Sequence, residues 1–142
     1  MEKDTGILNQ DVLTAIDETP EILAVGRHDD IRPYLFASDI FAFPSYREGF
    51  PNVVLQAGAL GLPCIVSNIN GSNEIITHNQ NGLIVPVKNT EQLFEAMQLL
   101  LNDMPLRKRL ASAARDTVVS RFKNDIVWEA ILQEYKKHLK QV

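Results

Sequence analysis

Apolar residues along this chain fall first in short unbroken runs and later in helical stripes. The runs EILAVG (21–26), IFAFPS (40–45), PCIVS (63–67) and GLIVPV (82–87) are short and are bounded by Gly, Pro or Asn, so they read as strands. Helical signals lie between them. In DDIRPYLFASD (29–39), Ile31, Tyr34 or Leu35, and Ala37 or Ser38 share one side, and Pro33 sits in the first turn, where a missing N–H costs nothing. NVVLQAGALG (52–61) opens on Asn52 as a cap, or on Pro51 in its first turn, and stops at Gly61. GSNEIITHNQNG (71–82) holds a short helix and a turn at Asn81 and Gly82.

Three longer helices follow. Leu93, Met97, Leu100 and Leu101 mark 90–102; Leu106, Leu110, Ala113 and Val118 mark 105–121; Val127, Ile131, Leu132, Tyr135 and Leu139 mark 125–139. Spacings of three and four make each helix amphipathic, and the three stripes are expected in the core. Strands alternating with helices predict βαβ units: an α/β fold with a parallel, Rossmann-like sheet and C-terminal helices. In such sheets ligands bind beyond the carboxyl ends of the strands. Residues 45–51, between the strand IFAFPS and the helix NVVLQAGALG, therefore fall at the edge where a site is expected.

Composition narrows the function classes. The 142 residues suit one domain or part of a larger protein, and 45% hydrophobic residues support a packed core. The net charge of −4 gives no support to nucleic acid as a partner. Charge is uneven: 1–104 holds 5 basic and 14 acidic residues, 105–142 holds 9 and 4. The basic end suits a solvated helical face, or contact with an anionic membrane surface or an acidic domain. The single cysteine, Cys64, cannot form an internal disulfide and reads as a small buried hydrophobe. No apolar run reaches the ~18 residues of a membrane span, and the start MEKDTGILNQ lacks a signal peptide's apolar centre. A cytoplasmic protein is expected, with peripheral attachment to the inner membrane face as one arrangement.

The chemistry concentrates in EGFPNVVLQ (48–56). The start of the helix offers unpaired N–H groups and a positive dipole end, and Gly49 lets the backbone approach a ligand, so 49–53 is a candidate phosphate cradle. The Glu48 carboxylate can accept from two sugar hydroxyls, and the Gln56 carboxamide stands about one turn into the helix. Acid, cradle and amide along one edge suit a sugar–diphosphate–ribose ligand. Taken singly, an isolated glutamate such as Glu48 is more often an exposed loop acid or a helix N-terminal charge, and Gln56 an ordinary polar helix position. His28, Asp29 and Asp30 are three adjacent residues in a turn, which rarely converge on one ion, so no metal site is expected.

Six pieces occur in a fixed order: the turn GRHDD at 26–30, then DIFAFPS, YREGFPNVVLQA, GLPCIVS, GSNEI and NGLIVP. A closing SRF and a later Tyr (Ser120, Arg121, Phe122, Tyr135) complete the set. Together, over 21–135, they resemble the C-terminal domain of the retaining glycosyltransferases of family 4, which have the GT-B fold. The resemblance implies the donor-binding part of an enzyme. Such an enzyme moves a hexosyl or acetamidohexosyl group from a nucleoside diphosphate sugar to a saccharide or lipid-linked acceptor, in surface polysaccharide synthesis. It implies that Glu48 holds hydroxyls of the donor sugar as the catalytic-site acid. It places the backbone of Gly49 and Phe50 near that sugar, beside Pro51, Asn52 and Val53 of the candidate phosphate cradle. Gly26 and Arg27 fall at the loop that meets the base, and Glu74 matches an acid after a glycine turn. Where the family has a second Glu for the ribose hydroxyls this chain has Gln56, which accepts through its carbonyl but carries no charge, so weaker or altered nucleotide binding is expected. No metal or other cofactor is implied.

Counting EILAVG as the third strand of a sheet ordered 3-2-1-4-5-6, the chain holds strands three to six. Strands one and two, with the Arg and Lys that clamp the diphosphate, have no counterpart, and neither has the acceptor-binding N-terminal domain with its His or Asp. The whole chain, 1–142, is thus expected to be a partial C-terminal nucleotide-sugar-binding domain. Three arrangements follow: part of a longer enzyme, a homodimer closed through exposed strand edges, or a decayed, non-catalytic binding module. In each, no sugar transfer is expected from this chain alone.

Overall fold

A computed structural model describes residues 9–139. The chain divides into two compact units, one ending at Asp30 and one beginning at Ile31. In the first, α1 (Gln10–Glu18) starts where the Asn9 side chain accepts from the Asp11 N–H at 3.1 Å. The sequence reading assigned nothing here, although Asn9 ahead of Val12, Leu13 and Ile16 is a capped helical stripe. EILAVG, read as a strand, forms none. Ile22, Leu23 and Val25 are exposed. An extended segment needs a neighbour for its N–H and C=O groups, and the described part of this unit offers α1 and irregular chain only.

The second unit follows the expected alternation. Its elements in order are α2 (Arg32–Phe36), β1 (Phe41–Phe43), α3 (Asn52–Ala59), β2 (Cys64–Ser67), α4 (Asn70–Ile75), β3 (Gly82–Val85), α5 (Thr90–Asn102), α6 (Met104–Arg121) and α7 (Asn124–Leu139). The strands form a parallel sheet in the order β1-β2-β3, with Phe41 beside Cys64 and Cys64 beside Gly82. Central β2 is buried at all four residues. Its alternation separates two cores. Cys64 and Val66 join Leu35, Val54, Ala57 and Ile75 on one face, while Ile65 joins Val85, Ala96, Leu100 and Leu110 on the other.

The chain reverses direction by turn chemistry that the residues dictate. Helix α3 ends at Gly61, whose φ is +75°, with its N–H on the Gly58 carbonyl and the Leu62 N–H on the Ala57 carbonyl. This is the paired closure that a left-handed glycine after a helix makes possible. Asn81 is buried and works as an internal bracket. Its Oδ1 accepts from the Thr77 N–H at 2.7 Å, and its Nδ2 donates to the Ile75 carbonyl at 2.9 Å.

The helical stripes depart from expectation. Leu100 and Leu110 are buried, but Met97 and Leu101 are exposed, and α7 buries nothing: Val127, Ile131, Leu132, Tyr135 and Leu139 all face solvent, with Trp128 beside them. A 3.6-residue period shows that a face is built for cover; it does not place that cover within the same stretch of chain. Among the described residues no helix is long and apolar enough to cross a membrane.

Candidate functional site

Strand β1 stops at Phe43 because Pro44 cannot donate to a ladder. The chain then turns through 45–51 before Pro51 leads into α3. Within that turn the Ser45 hydroxyl donates to Glu48 Oε1 at 2.9 Å. Both side chains are half-buried. Among the described residues no cation pairs with Glu48. A carboxylate offers about four acceptor positions. One is occupied by Ser45, and the rest are open to donors such as hydroxyls.

The start of α3 adds complementary groups. Pro51, at the cap position, gives no side-chain cap, and its carbonyl receives the Val54 N–H at 3.0 Å. The N–H groups of Asn52 and Val53 have no acceptor among the described residues, so they stand with the positive end of the helix dipole. Val53 packs on the core beside fully buried Val54, which fixes the helix start against the sheet. Phe50 rests its ring on Phe122, with centroids 5.7 Å apart.

The turn is also held from α4. An atom added as Cβ to Gly71 would collide with the Gly49 carbonyl and lie 3.1 Å from Pro51 Cδ. Only a residue without a side chain permits this approach. A small cavity of about 150 Å³ opens nearby at the carboxyl ends of the strands, lined by Pro44, Tyr46, Ser67, Pro86 and Lys88, with the Lys88 ammonium 5.2 Å over the Tyr46 ring.

The structure thus gathers Glu48, Gly49, Phe50, Pro51, Asn52 and Val53 in one turn, with Gln56 exposed on α3 one turn further on. Glu74 is exposed on α4, three residues beyond the Gly71 contact; its backbone carbonyl accepts from Arg121 at 3.4 Å. Gly26 and Arg27 belong to the first unit, where Gly26 has a φ of +69°. Three contributors escaped the sequence reading: Ser45 as partner of Glu48, Gly71 as the seat of the turn, and Phe122 under Phe50. The Ser three residues before the Glu was a legible local signal; the other two contacts are long-range. Among the described residues no group of three His, Cys, Asp or Glu side chains is arranged to hold a metal ion.

Comparison with known proteins fits this architecture. The chain is 39% identical over 119 residues to the N,N'-diacetylbacillosaminyl-diphospho-undecaprenol alpha-1,3-N-acetylgalactosaminyltransferase of Campylobacter jejuni, across 83% of this chain and 31% of that enzyme. It is 35% identical over 101 residues to an Escherichia coli UDP-Gal:alpha-D-GlcNAc-diphosphoundecaprenol alpha-1,3-galactosyltransferase, across 71% of this chain and 26% of the relative. The chain therefore spans less than a third of the length of either relative. Among solved structures, a glycosyltransferase from Rickettsia africae superposes with a TM-score of 0.85 at 27% identity, over 93% of this chain and 36% of its own. The family model for glycosyl transferases group 1 matches residues 17–117. A parallel α/β unit with an acid at the β1–α3 turn, these relatives and that match together make the chain a member of the group 1 glycosyl transferases, whose fold is GT-B.

Proposed function

We propose that this chain is the donor-binding part of a retaining glycosyltransferase. The enzyme would transfer a hexosyl or acetamidohexosyl group from a nucleoside diphosphate sugar to a saccharide or lipid-linked acceptor in surface polysaccharide assembly. The observation that carries this reading is the half-buried Glu48 carboxylate, which among the described residues has no cation, immediately ahead of the N–H groups that open α3 and that have no acceptor among those residues. The carboxylate accepts from sugar hydroxyls, and the helix start receives the diphosphate. Gln56, one turn on, meets the ribose through its carbonyl oxygen. Gly49 and Phe50 border the sugar, and Glu74 supplies a further acceptor. Catalysis by the whole enzyme is positioning plus stabilisation of an oxocarbenium-like state and of the departing diphosphate. The helix N–H groups supply charge stabilisation without a metal, so chelation leaves binding unchanged. The names of the two relatives support the lipid-linked class of acceptor. Such an acceptor brings the protein to the cytoplasmic face of a membrane, where the basic stretch 105–142 suits anionic lipid.

Titration calorimetry of the chain with UDP-N-acetylgalactosamine, UDP-galactose, GDP-mannose and the bare nucleotides, with and without EDTA, tests the reading. Binding of at least one sugar nucleotide more tightly than its nucleotide is expected. Silence at millimolar ligand would remove it. A second reading, a sugar-nucleotide-binding module without catalysis, is favoured by the uncharged Gln56 in place of the family acid. Sugar transfer by the purified chain would exclude that reading.

A further inference from the structure

We infer that Ser45 is a positioning residue for the donor sugar. Its hydroxyl locks the Glu48 carboxylate in the orientation that receives the sugar hydroxyls, an inference that rests on the donor reading of this site.

Three observations lead here. First, Ser45 Oγ has two acceptors in reach, Glu48 Oε1 at 2.9 Å and the Arg47 carbonyl at 3.5 Å, and its single proton goes to the nearer and charged one. Second, Ser45 is the only partner of the Glu48 side chain among the described residues, so this one bond decides which oxygen is spent and which is free. Third, both ends of the turn are anchored. Ser45 follows β1 directly after Pro44, and Gly49 is seated against Gly71 where no side chain can intervene. The backbone on either side of Glu48 is thereby fixed, and the rotation of its carboxylate is the main freedom left. A serine bond removes that freedom before the ligand arrives, so the sugar does not have to order the acceptor itself.

An arginine or lysine in the same place would also fix the carboxylate. It would neutralise the charge and compete with the sugar for both oxygens. A hydroxyl takes one lone pair and leaves the negative charge available. Ser45 thus directs the acid toward neutral donors such as hydroxyls.

The experiment uses Ser45→Ala, Ser45→Thr, Glu48→Ala and the double variant. Calorimetry on the full chain reads affinity for UDP and for whichever of UDP-N-acetylgalactosamine or UDP-galactose the parent binds more tightly. Ser45→Ala is expected to weaken the sugar nucleotide roughly ten-fold and leave UDP unchanged, since hydrogen bonds to charged groups are worth about that much. Ser45→Thr, which keeps the hydroxyl, is expected to restore binding. The double variant is expected to bind no more weakly than Glu48→Ala, because Ser45 acts only through the acid. If Glu48→Ala abolishes the preference for the sugar nucleotide while Ser45→Ala keeps it, the positioning role is wrong and the donor reading stands. If Ser45→Ala weakens UDP and sugar nucleotide alike, Ser45 merely folds the turn, which also overturns the inference. If Glu48→Ala changes nothing, or the parent binds neither these ligands nor GDP-mannose, the donor reading fails and takes the inference with it.

Discussion

Gly71 and Gly49 are pressed together backbone to backbone: the carbonyl carbon of Gly49 lies 2.9 Å from where a Cβ on Gly71 would stand. This contact seats the acid-bearing turn on the start of α4. A methyl group there has nowhere to go, because its neighbour is backbone. Gly71→Ala should therefore push the 49–51 segment away from α4, at a cost of about 1–3 kcal/mol as for other overpacked sites. Urea unfolding reads the loss, and calorimetry reads a weaker sugar nucleotide; an unchanged unfolding midpoint would mean that the turn is not seated there.

Gly58 plays a milder part between α3 and α6. An added Cβ would stand 3.0 Å from Val118 Cγ2 and 3.6 Å from the Ala114 carbonyl oxygen. A valine methyl can yield a little, and alanine favours helix over glycine by ~1 kcal/mol. Gly58→Ala is expected to be near neutral, within about 1 kcal/mol, and Gly58→Leu clearly destabilising by about 1–3 kcal/mol. Thermal melts of the two variants distinguish a tight seam from a loose one.

Cys64 is wholly buried in β2, and burial pushes its thiol up from 9.0 to about 12. Below pH 9 both folded and unfolded chains hold the proton, and the stability is fully present. Between about 9 and about 12 only the folded chain keeps it. Stability is then lost as pH rises, at a slope approaching 1.4 kcal/mol per pH unit. Cys64→Ala should flatten this alkaline slope in urea titrations while losing modest stability at neutral pH. Native Cys64 should also resist a thiol reagent until the chain is unfolded.

Trp128, the chain's single tryptophan, stands on the exposed face of α7 with 67% of its surface open. Its fluorescence should be that of a water-exposed indole, readily quenched by acrylamide. Leu132→Ser, on the same helix, should cost no more than about 0.5 kcal/mol in this chain. A shielded emission would show that the α7 face is covered in solution.

Gln56→Glu introduces the carboxylate that the resemblance to the family implies at this place on α3. The residue is exposed, so the change should leave stability untouched and bind the nucleotide as well or more tightly. Loss of UDP binding in this variant would remove Gln56 from the ribose.

Much of the fold is written in local patterns. β1, β2 and β3 fall inside the apolar runs, and Gly61 ends α3 as a left-handed glycine should. EILAVG is as apolar as those runs, yet strand formation needs a partner, and a run cannot report whether one is at hand. The α7 stripe was misread for the same reason: periodicity marks a face that seeks cover without naming the cover. At the site, the order of Glu48, Gly49 and Gln56 was legible through the family likeness. Ser45, three residues ahead of Glu48, was a local signal for that bond, whereas separation along the chain hid the Gly71 and Phe122 contacts.

Strand β2 shows its even and odd residues to different interiors, Cys64 and Val66 to the one behind the acid-bearing turn, Ile65 to the one beneath α5 and α6. A single four-residue ribbon is the wall common to both rooms. If a donor fills the acid-bearing edge as proposed, tightening one room should quieten the other. Slowed deuterium uptake should therefore spread to the amides of α5 and α6.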